Sequence, residues 1–208
     1  MRAALIVIVV LSCGIATASA QGRREVGAKV GVTSASPVFA TPADDPGYGH
    51  RIYVSGGGFV MVPLSGPLAF QVEALYIPKG GEIVDKESSI TTTLILDYLE
   101  FPALARVTVS RSPSHSVFLF GGPSAGVRLN AKYRISAGTK VKSGESNDIS
   151  DQVKRLEYGV IAGGGVDIGR HGVVDARYSW GLNDVNRDAG DTHGARNRAF
   201  TVLVGFRY

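Results

Sequence analysis

From residue 25 onward the chain repeats with a period of two. Residues 25–33 set Val26, Ala28, Val30 and Val32 on one side against Glu25, Gly27, Lys29, Gly31 and Thr33 on the other. Alternation of that kind belongs to a strand with one apolar face, and no helical period is sustained after the first twenty residues. Eight strand segments follow from the pattern, at residues 25–33, 51–62, 68–77, 91–109, 116–130, 156–168, 174–182 and 200–208. The fourth changes parity: Leu94, Leu96 and Tyr98 share one face, then Leu99, Phe101, Ala103, Ala105 and Val107 share one. A β-bulge near residues 98–102 would do this, with Pro102 withdrawing a ladder donor. The fifth begins with both faces apolar, Phe118 and Phe120 against Val117 and Leu119.

The connections alternate in length. Residues 34–50, 78–89, 131–153 and 183–196 form long ones, while 63–67, 110–115 and 169–172 are short. Long loops at one end and short turns at the other are the habit of barrels that span an outer membrane, with the N-terminus on the short-turn, periplasmic side. The apolar faces also carry Tyr53, Tyr76, Tyr98, Tyr158, Tyr178, Trp180, Phe206 and Tyr208 towards strand ends, as aromatic girdles require. The expected fold is therefore all-β: an eight-stranded antiparallel up-and-down transmembrane β-barrel. A soluble periplasmic ligand-binding barrel is an alternative with the same alternation, its apolar face turned inward.

At the N-terminal end, Met1-Arg2 precede an apolar run over residues 3–11, and Ala18-Ser19-Ala20 offers a small-x-small cleavage pattern. That run is far short of the roughly 20 residues a helix needs to cross a bilayer, so residues 1–20 are expected to be a signal peptide cleaved after Ala20. Residues 21–208 are then the barrel domain. Cys13 sits in a loose lipoprotein-like context, but the bulky Leu11 two positions before it argues against lipidation. Its loss with the leader leaves a chain held together without disulfides. At the other end, Phe200, Val202, Val204, Phe206 and Tyr208 alternate with Thr201, Leu203, Gly205 and Arg207. This resembles the last strand of bacterial outer-membrane proteins, and the resemblance implies that Phe206 and Tyr208 form the signal read by the barrel-assembly machinery.

Composition narrows the class further. Glycine, at 27 of 208 residues, is nearly double its usual share, and 19% of residues are charged against a typical quarter. Glycine is costly in helices, so the excess fits strands, turns and close packing. Removing Arg2 with the leader leaves 21 basic residues against 18 acidic. So small an excess, with no basic run interleaved with aromatics, is no nucleic-acid footprint.

Parity assigns a set of charges to the polar, inward face: Glu25, Glu73, Glu100, Glu157, Asp167 and Asp175 against Lys29, Arg106, Arg128, Arg177 and Arg207. A selective pore tends to carry one sign, whereas near balance suits ion pairs filling a narrow interior. Catalysis is not expected. His115 and His171 fall in short turns and His50 and His193 in long loops, Ser114 and Ser116 would face away from His115 along a strand, and no strand sets a His and a Ser two apart. Asp44-Asp45 and residues 183–191 are acidic, but no glutamate closes a twelve-residue calcium loop and Arg187 interrupts. No metal or cofactor site is expected. Gly163-Gly164-Gly165 continues a strand and opens no helix, so it reads as close packing in the wall, not as a phosphate cradle.

Residues 96–107 (LDYLEFPALARV), followed by Phe120-Gly121-Gly122-Pro123 and Ala125-Gly126-Val127, resemble the PorT-like, outer membrane protein beta-barrel domain family, and more distantly the OmpX-like small barrels. The resemblance implies the fold and an outer-membrane location. That family is functionally diverse, so it carries no functional residue over. Two roles remain: a barrel with a side-chain-filled lumen that presents its long loops for interaction, adhesion or envelope integrity, and a small-solute channel. The expected partners are outer-membrane lipid, lipopolysaccharide and the assembly machinery, with the chain a monomer and no nucleic acid bound.

Overall fold

The computed structural model describes residues 24–39, 49–85, 90–137, 146–151, 153–184 and 195–208. The leader 1–20 with Cys13, the Asp44-Asp45 pair, His193 and residues 185–191 lie outside the described residues. The strands are β1 (Glu25–Phe39), β2 (Arg51–Pro63), β3 (Leu68–Asp85), β4 (Ile90–Arg111), β5 (His115–Ala137), β6 (Ser146–Asp148), β7 (Leu156–Ile168), β8 (Gly172–Gly181) and β9 (Ala195–Arg207). Eight of them run β4-β3-β2-β1-β9-β8-β7-β5, and a β4–β5 pairing closes the ring. Every ladder is antiparallel, and the short β6 lies outside the ring against Lys132, Tyr133 and Arg134 of β5. Closure leaves no sheet edge within the wall, the arrangement a bilayer core demands because lipid offers no hydrogen-bond partners. The last residue completes the seam, since Val26 and Tyr208 exchange backbone hydrogen bonds at 3.0 and 2.8 Å.

The faces are inverted relative to a soluble protein. On β2, Ile52 is 72% exposed and Val54 69%, whereas on β1 Lys29 is 4% exposed. Val26, Val30 and Val32 also point outward, as do Phe200, Val204 and Phe206 on β9. A sheet that turns valine to its surroundings and buries lysine is solvated by lipid outside and by its own polar groups inside. The soluble-barrel alternative requires the opposite.

Four details of the sequence reading are corrected. First, β4 keeps one parity: Leu96, Tyr98, Glu100, Leu104 and Arg106 are all buried, and no face switch occurs at Tyr98. The register does slip there, between Asp97 and Tyr98, but the unpaired residue is Leu129 of β5. That bulge flips the parity of β5, so Ala131 turns inward where alternation from Arg128 would turn it out. Second, residues 78–85 are strand and not loop; Pro78 pairs with Asp97 and Gly80, at φ +127°, pairs with Ile95. Glycine takes that backbone angle without strain, so β3 can bend and continue. Third, β1 and β5 likewise run on, to Phe39 and Ala137. Fourth, Tyr53 and Tyr98 do not belong to a girdle. Tyr53 shares the lumen parity of Ser55 between the outward Ile52 and Val54, and Tyr98 is 1% exposed.

The other six aromatics lie on the outer face in two bands. Tyr76, Tyr158, Tyr178 and Trp180 stand towards the long-loop end, with the Tyr178 and Trp180 rings 4.6 Å apart, and Phe206 and Tyr208 stand at the short-turn end. The wall is uneven in height: β8 has 10 residues, while β4 and β5 have 22 and 23. The β3–β4–β5 side therefore rises beyond the rest at the long-loop end.

Candidate functional site: the barrel interior

Small residues in the wall make room for large ones inside. Phe59 pairs across the ladder with Gly27, Phe118 with Gly165, and Phe120 with Gly163. A Cβ at Gly165 would come within 2.5 Å of the Phe118 ring, and one at Gly163 within 2.6 Å of the Phe120 ring. The rings thus lie flat over the neighbouring strand and offer their faces to cations. Lys29 Nζ sits 4.7 Å from the Phe59 centroid, and the Arg177 and Arg106 guanidinium carbons sit 5.1 and 3.5 Å from Phe120 and Phe118.

At mid-height Lys29 and Arg177 meet acids. Lys29 Nζ donates to Glu73 at 3.0 Å and to Asp175 at 2.6 Å. Arg177 donates through Nε and Nη2 to Asp175 Oδ1 at 2.9 and 2.8 Å, through Nη2 to Glu73 Oε1 at 3.1 Å, and through Nη1 to Glu73 Oε2. Gln71 Nε2 adds a bond to Glu73 at 2.6 Å. Two acids and two bases close on one another. Moreover, β3, which carries Glu73, and β8, which carries Arg177, stand four places apart in the eight-membered ring, so this bond crosses the full width of the lumen.

Next towards the long-loop end comes an uncharged belt, with Thr33 Oγ1 2.7 Å from Ser55 Oγ and 2.8 Å from Thr201 Oγ1. Further still lies a second ionic layer, in which Lys79 Nζ is 2.5 Å from Glu157 Oε1 and 3.7 Å from Glu100 Oε1. Asn197 Nδ2 donates to Glu157 Oε2 at 2.6 Å. Here two carboxylates share one ammonium. Leu96, Tyr98, Ala131 and Val153 form an apolar cluster at this level, with Leu94 and Ile149 packed against it.

Arg128 holds that cluster's cover in place. Its guanidinium donates to the carbonyls of Ser150, Val153 and Lys154 at 2.8, 3.3 and 3.3 Å and to Ser150 Oγ at 3.0 Å. Ser150, through its hydroxyl and its amide, in turn holds the exposed Asp148 carboxyl below its ordinary range. Asn183 is likewise spent on backbone, accepting from Tyr158 N at 2.7 Å and donating to Leu156 O at 2.9 Å.

The short-turn end has a third layer. Arg106 Nη2 binds Asp167 Oδ2, which also accepts from Ser116 Oγ at 2.9 Å. Arg207 Nη1 is 3.1 Å from Glu25 Oε2 and 3.2 Å from Asp167 Oδ1. His171 stacks on Phe206 with centroids 5.0 Å apart and contacts the Arg207 carbonyl through Nδ1 at 2.9 Å. In the neighbouring turn, Ser114 Oγ and His115 Nδ1 are 3.2 Å apart, an exposed contact that the alternation rule did not foresee because Ser114 lies in the turn and not in the strand.

Of the eleven charges assigned inward by parity, ten join these three layers: Lys29, Glu73, Asp175 and Arg177; Glu100 and Glu157; Glu25, Arg106, Asp167 and Arg207. Arg128 goes to backbone carbonyls instead. Alternation turns Thr33, Gln71 and Thr201 to the polar face without showing that Thr33 bonds Ser55 and Thr201, and strands ending at residue 77 and starting at residue 200 exclude Lys79 and Asn197. Continuing the odd-numbered alternation Gln71, Glu73, Leu75, Ile77 by one step places Lys79 inside.

The sequence profile of the outer membrane protein beta-barrel domain matches residues 17–187. No curated protein matches the chain in sequence. Among solved structures, the chain is similar to Neisserial surface protein A (14% identity, 89% of this chain and 97% of that one, TM-score 0.48). It is also similar to OprG of Pseudomonas aeruginosa (8%, 88% and 95%, 0.46) and to outer membrane protein W of Escherichia coli (14%, 90% and 100%, 0.45).

Proposed function

Because the chain belongs to the outer membrane protein beta-barrel domain family and thus resides in the bacterial outer membrane, we propose that it serves as a closed stake that carries its long-loop end outside the cell, and not as an open pore. The observation that supports this reading is the Glu73–Arg177 bond across the ring, closed on both sides by Lys29 and Asp175. An interior about eight strands wide is filled by side chains. Here it is filled at several successive levels. A permeating solute would have to part buried ion pairs and leave their charges uncompensated, a situation that costs about 3–5 kcal/mol when it is created by removing one partner.

In this reading the working surface is the tall β3–β4–β5 side with its attached β6, available for interaction, adhesion or envelope integrity. Lipopolysaccharide is the proposed lipid partner, with the exposed Lys132, Arg134 and Arg198 supplying positive charge to its phosphates. Residues 1–20 act as the cleaved leader, and Phe206 and Tyr208, which project from the last strand, as the assembly signal. No catalytic step is assigned. In the same reading the barrel acts as a monomer, the closed ring offering no wall strand for a second copy to pair with.

Liposome swelling with a neutral monosaccharide tests the closed-lumen reading. Liposomes bearing the full-length protein should swell no faster than empty ones. Swelling in proportion to protein content would favour the channel.

A further inference from the structure

Beside the last residues of β4, at the short-turn end, lies a groove of about 290 Å³ lined by Gly66, Pro67, Thr108, Val109, Ser110 and Arg111. Two local features open it. Gly66, at φ +65°, turns the connection from β2 to β3 sharply, and a Cβ there would meet nothing within 4 Å. The β3–β4 ladder ends at Leu68 and Val107, the Thr108 amide adds one bond to the Pro67 carbonyl at 2.9 Å, and β4 then runs on to Arg111. Among the described residues, no residue of β3 pairs with positions 109–111.

The two sides of the groove differ chemically. On one, Leu68, Val107 and Leu119 stand in a row across β3, β4 and β5, and the exposed Leu68 and Leu119 belong to the lipid-facing wall. Val109, the unpaired residue of the bulge between Thr108 and Ser110, extends that apolar surface and is 55% exposed. On the other, Arg111 is exposed and, among the described residues, has neither an ion pair nor a side-chain hydrogen bond. Thr108 and Ser110 set hydroxyls beside it. A free guanidinium fork with hydroxyls at its flank matches a phosphate, and apolar surface directly next to it matches acyl chains. A liquid water takes about 30 Å³, so a phosphodiester fits the groove with room for hydration.

Charge narrows the headgroup. The turns joining β4 to β5 and β7 to β8 meet through Gly169 N and Ser114 O at 2.8 Å, which brings the exposed His115 and Arg170 to the same rim. The described acids at this end, Glu25 and Asp167, are held by Arg207 and Arg106, while the exposed Asp148 and Asp151 stand at the long-loop end. A zwitterionic headgroup would bring an ammonium that finds no free carboxylate side chain among the described residues there. An anionic headgroup brings only the charge that this rim attracts. We propose that the groove binds an anionic phospholipid of the membrane leaflet on the short-turn side, with its phosphodiester on Arg111, Thr108 and Ser110 and its acyl chains along Leu68 and Val109. That this leaflet is the periplasmic one rests on the orientation in the reading above.

The test is native mass spectrometry of the full-length protein, refolded in detergent micelles and titrated with phosphatidylglycerol, phosphatidylethanolamine and inorganic phosphate. Phosphatidylglycerol should bind saturably, and about tenfold more tightly than phosphatidylethanolamine. Arg111→Gln, at an exposed position, should weaken phosphatidylglycerol about tenfold, the scale of a lost charged hydrogen bond. Arg170→Gln should weaken it about fivefold, the effect of one basic residue at an anionic surface. Val109→Glu, which sets a carboxylate beside the phosphate, should also weaken it about tenfold while leaving phosphatidylethanolamine unchanged. Each variant should keep the parent's heat-dependent shift in gel migration, so that a loss of lipid is not a loss of fold.

Phosphatidylethanolamine binding as tightly as phosphatidylglycerol would overturn the proposal. So would folded Arg111→Gln and Val109→Glu barrels that both bind like the parent, or full displacement of the lipid by inorganic phosphate, the mark of a site for soluble anions. The leaflet is read separately: Arg111→Cys should react with a membrane-impermeant maleimide only after the outer membrane is permeabilised. Labelling in intact cells would refute the periplasmic placement while leaving the binding result to stand.

Discussion

The middle and upper ionic layers of the lumen are both built from buried carboxylates and cations yet balance differently. At mid-height Lys29, Glu73, Asp175 and Arg177 neutralise one another, and each charge touches two of the opposite sign. In the upper layer Lys79 alone faces Glu100 and Glu157, one at hydrogen-bond distance and the other at 3.7 Å. A ring of four has no dispensable member. A layer with a surplus acid has one: Glu100 contributes repulsion from Glu157 as well as attraction to Lys79. Burial makes this distinction large, because a charge in a low-dielectric interior must be paired or suffer several kcal/mol of lost hydration.

Substitutions should separate the two layers. Glu73→Gln strands two cations on a single aspartate and should destabilise the barrel most, by about 3–5 kcal/mol, read as a lower urea midpoint for unfolding from lipid vesicles. Lys79→Met leaves two buried carboxylates facing each other and should approach the lower end of that same range, roughly 3 kcal/mol, partly relieved by the Asn197 bond to Glu157.

Gly165→Val tests the seat of the Phe118 ring, on which Arg106 rests. Overpacking there should cost about 1–3 kcal/mol and shift the tryptophan-fluorescence unfolding curve accordingly. In the uncharged belt between the two layers, Thr33→Val removes the hydroxyl that bridges Ser55 and Thr201, for a loss of about 1 kcal/mol by the same assay. Glu100→Gln should change stability least, by no more than about 1 kcal/mol in either direction. A Glu100→Gln loss equal to that of Glu73→Gln would erase the contrast between the layers.

Much of the wall is legible because period two is a local signal: β7, β8, the first part of β1 and the last part of β9 follow from alternation alone, and alternation also turns ten of the charges inward. What failed was non-local. Leu94, Leu96 and Tyr98 look like a lipid-facing stripe, and only the fold reveals that Ala131 and Val153 cover Leu96 and Tyr98 from inside. Pro78 and Gly80-Gly81 look like the start of a loop, yet β4 supplies partners as far as Asp85. Arg128 looks like one more lumen charge, but beside the bulge at Leu129 it is spent on the carbonyls of Ser150, Val153 and Lys154. The pairing of charges across the ring was beyond reach, since strand parity gives a face and not a partner.

Single-channel recording in planar bilayers addresses the closed lumen most directly, comparing the full-length protein with a Glu73→Ser, Arg177→Ser pair that clears the bond across the ring. The parent should give no conductance steps, and the pair should give small, reproducible ones. Steps from the parent at the same frequency and size as from the pair would contradict a lumen closed by its mid-height ion pairs.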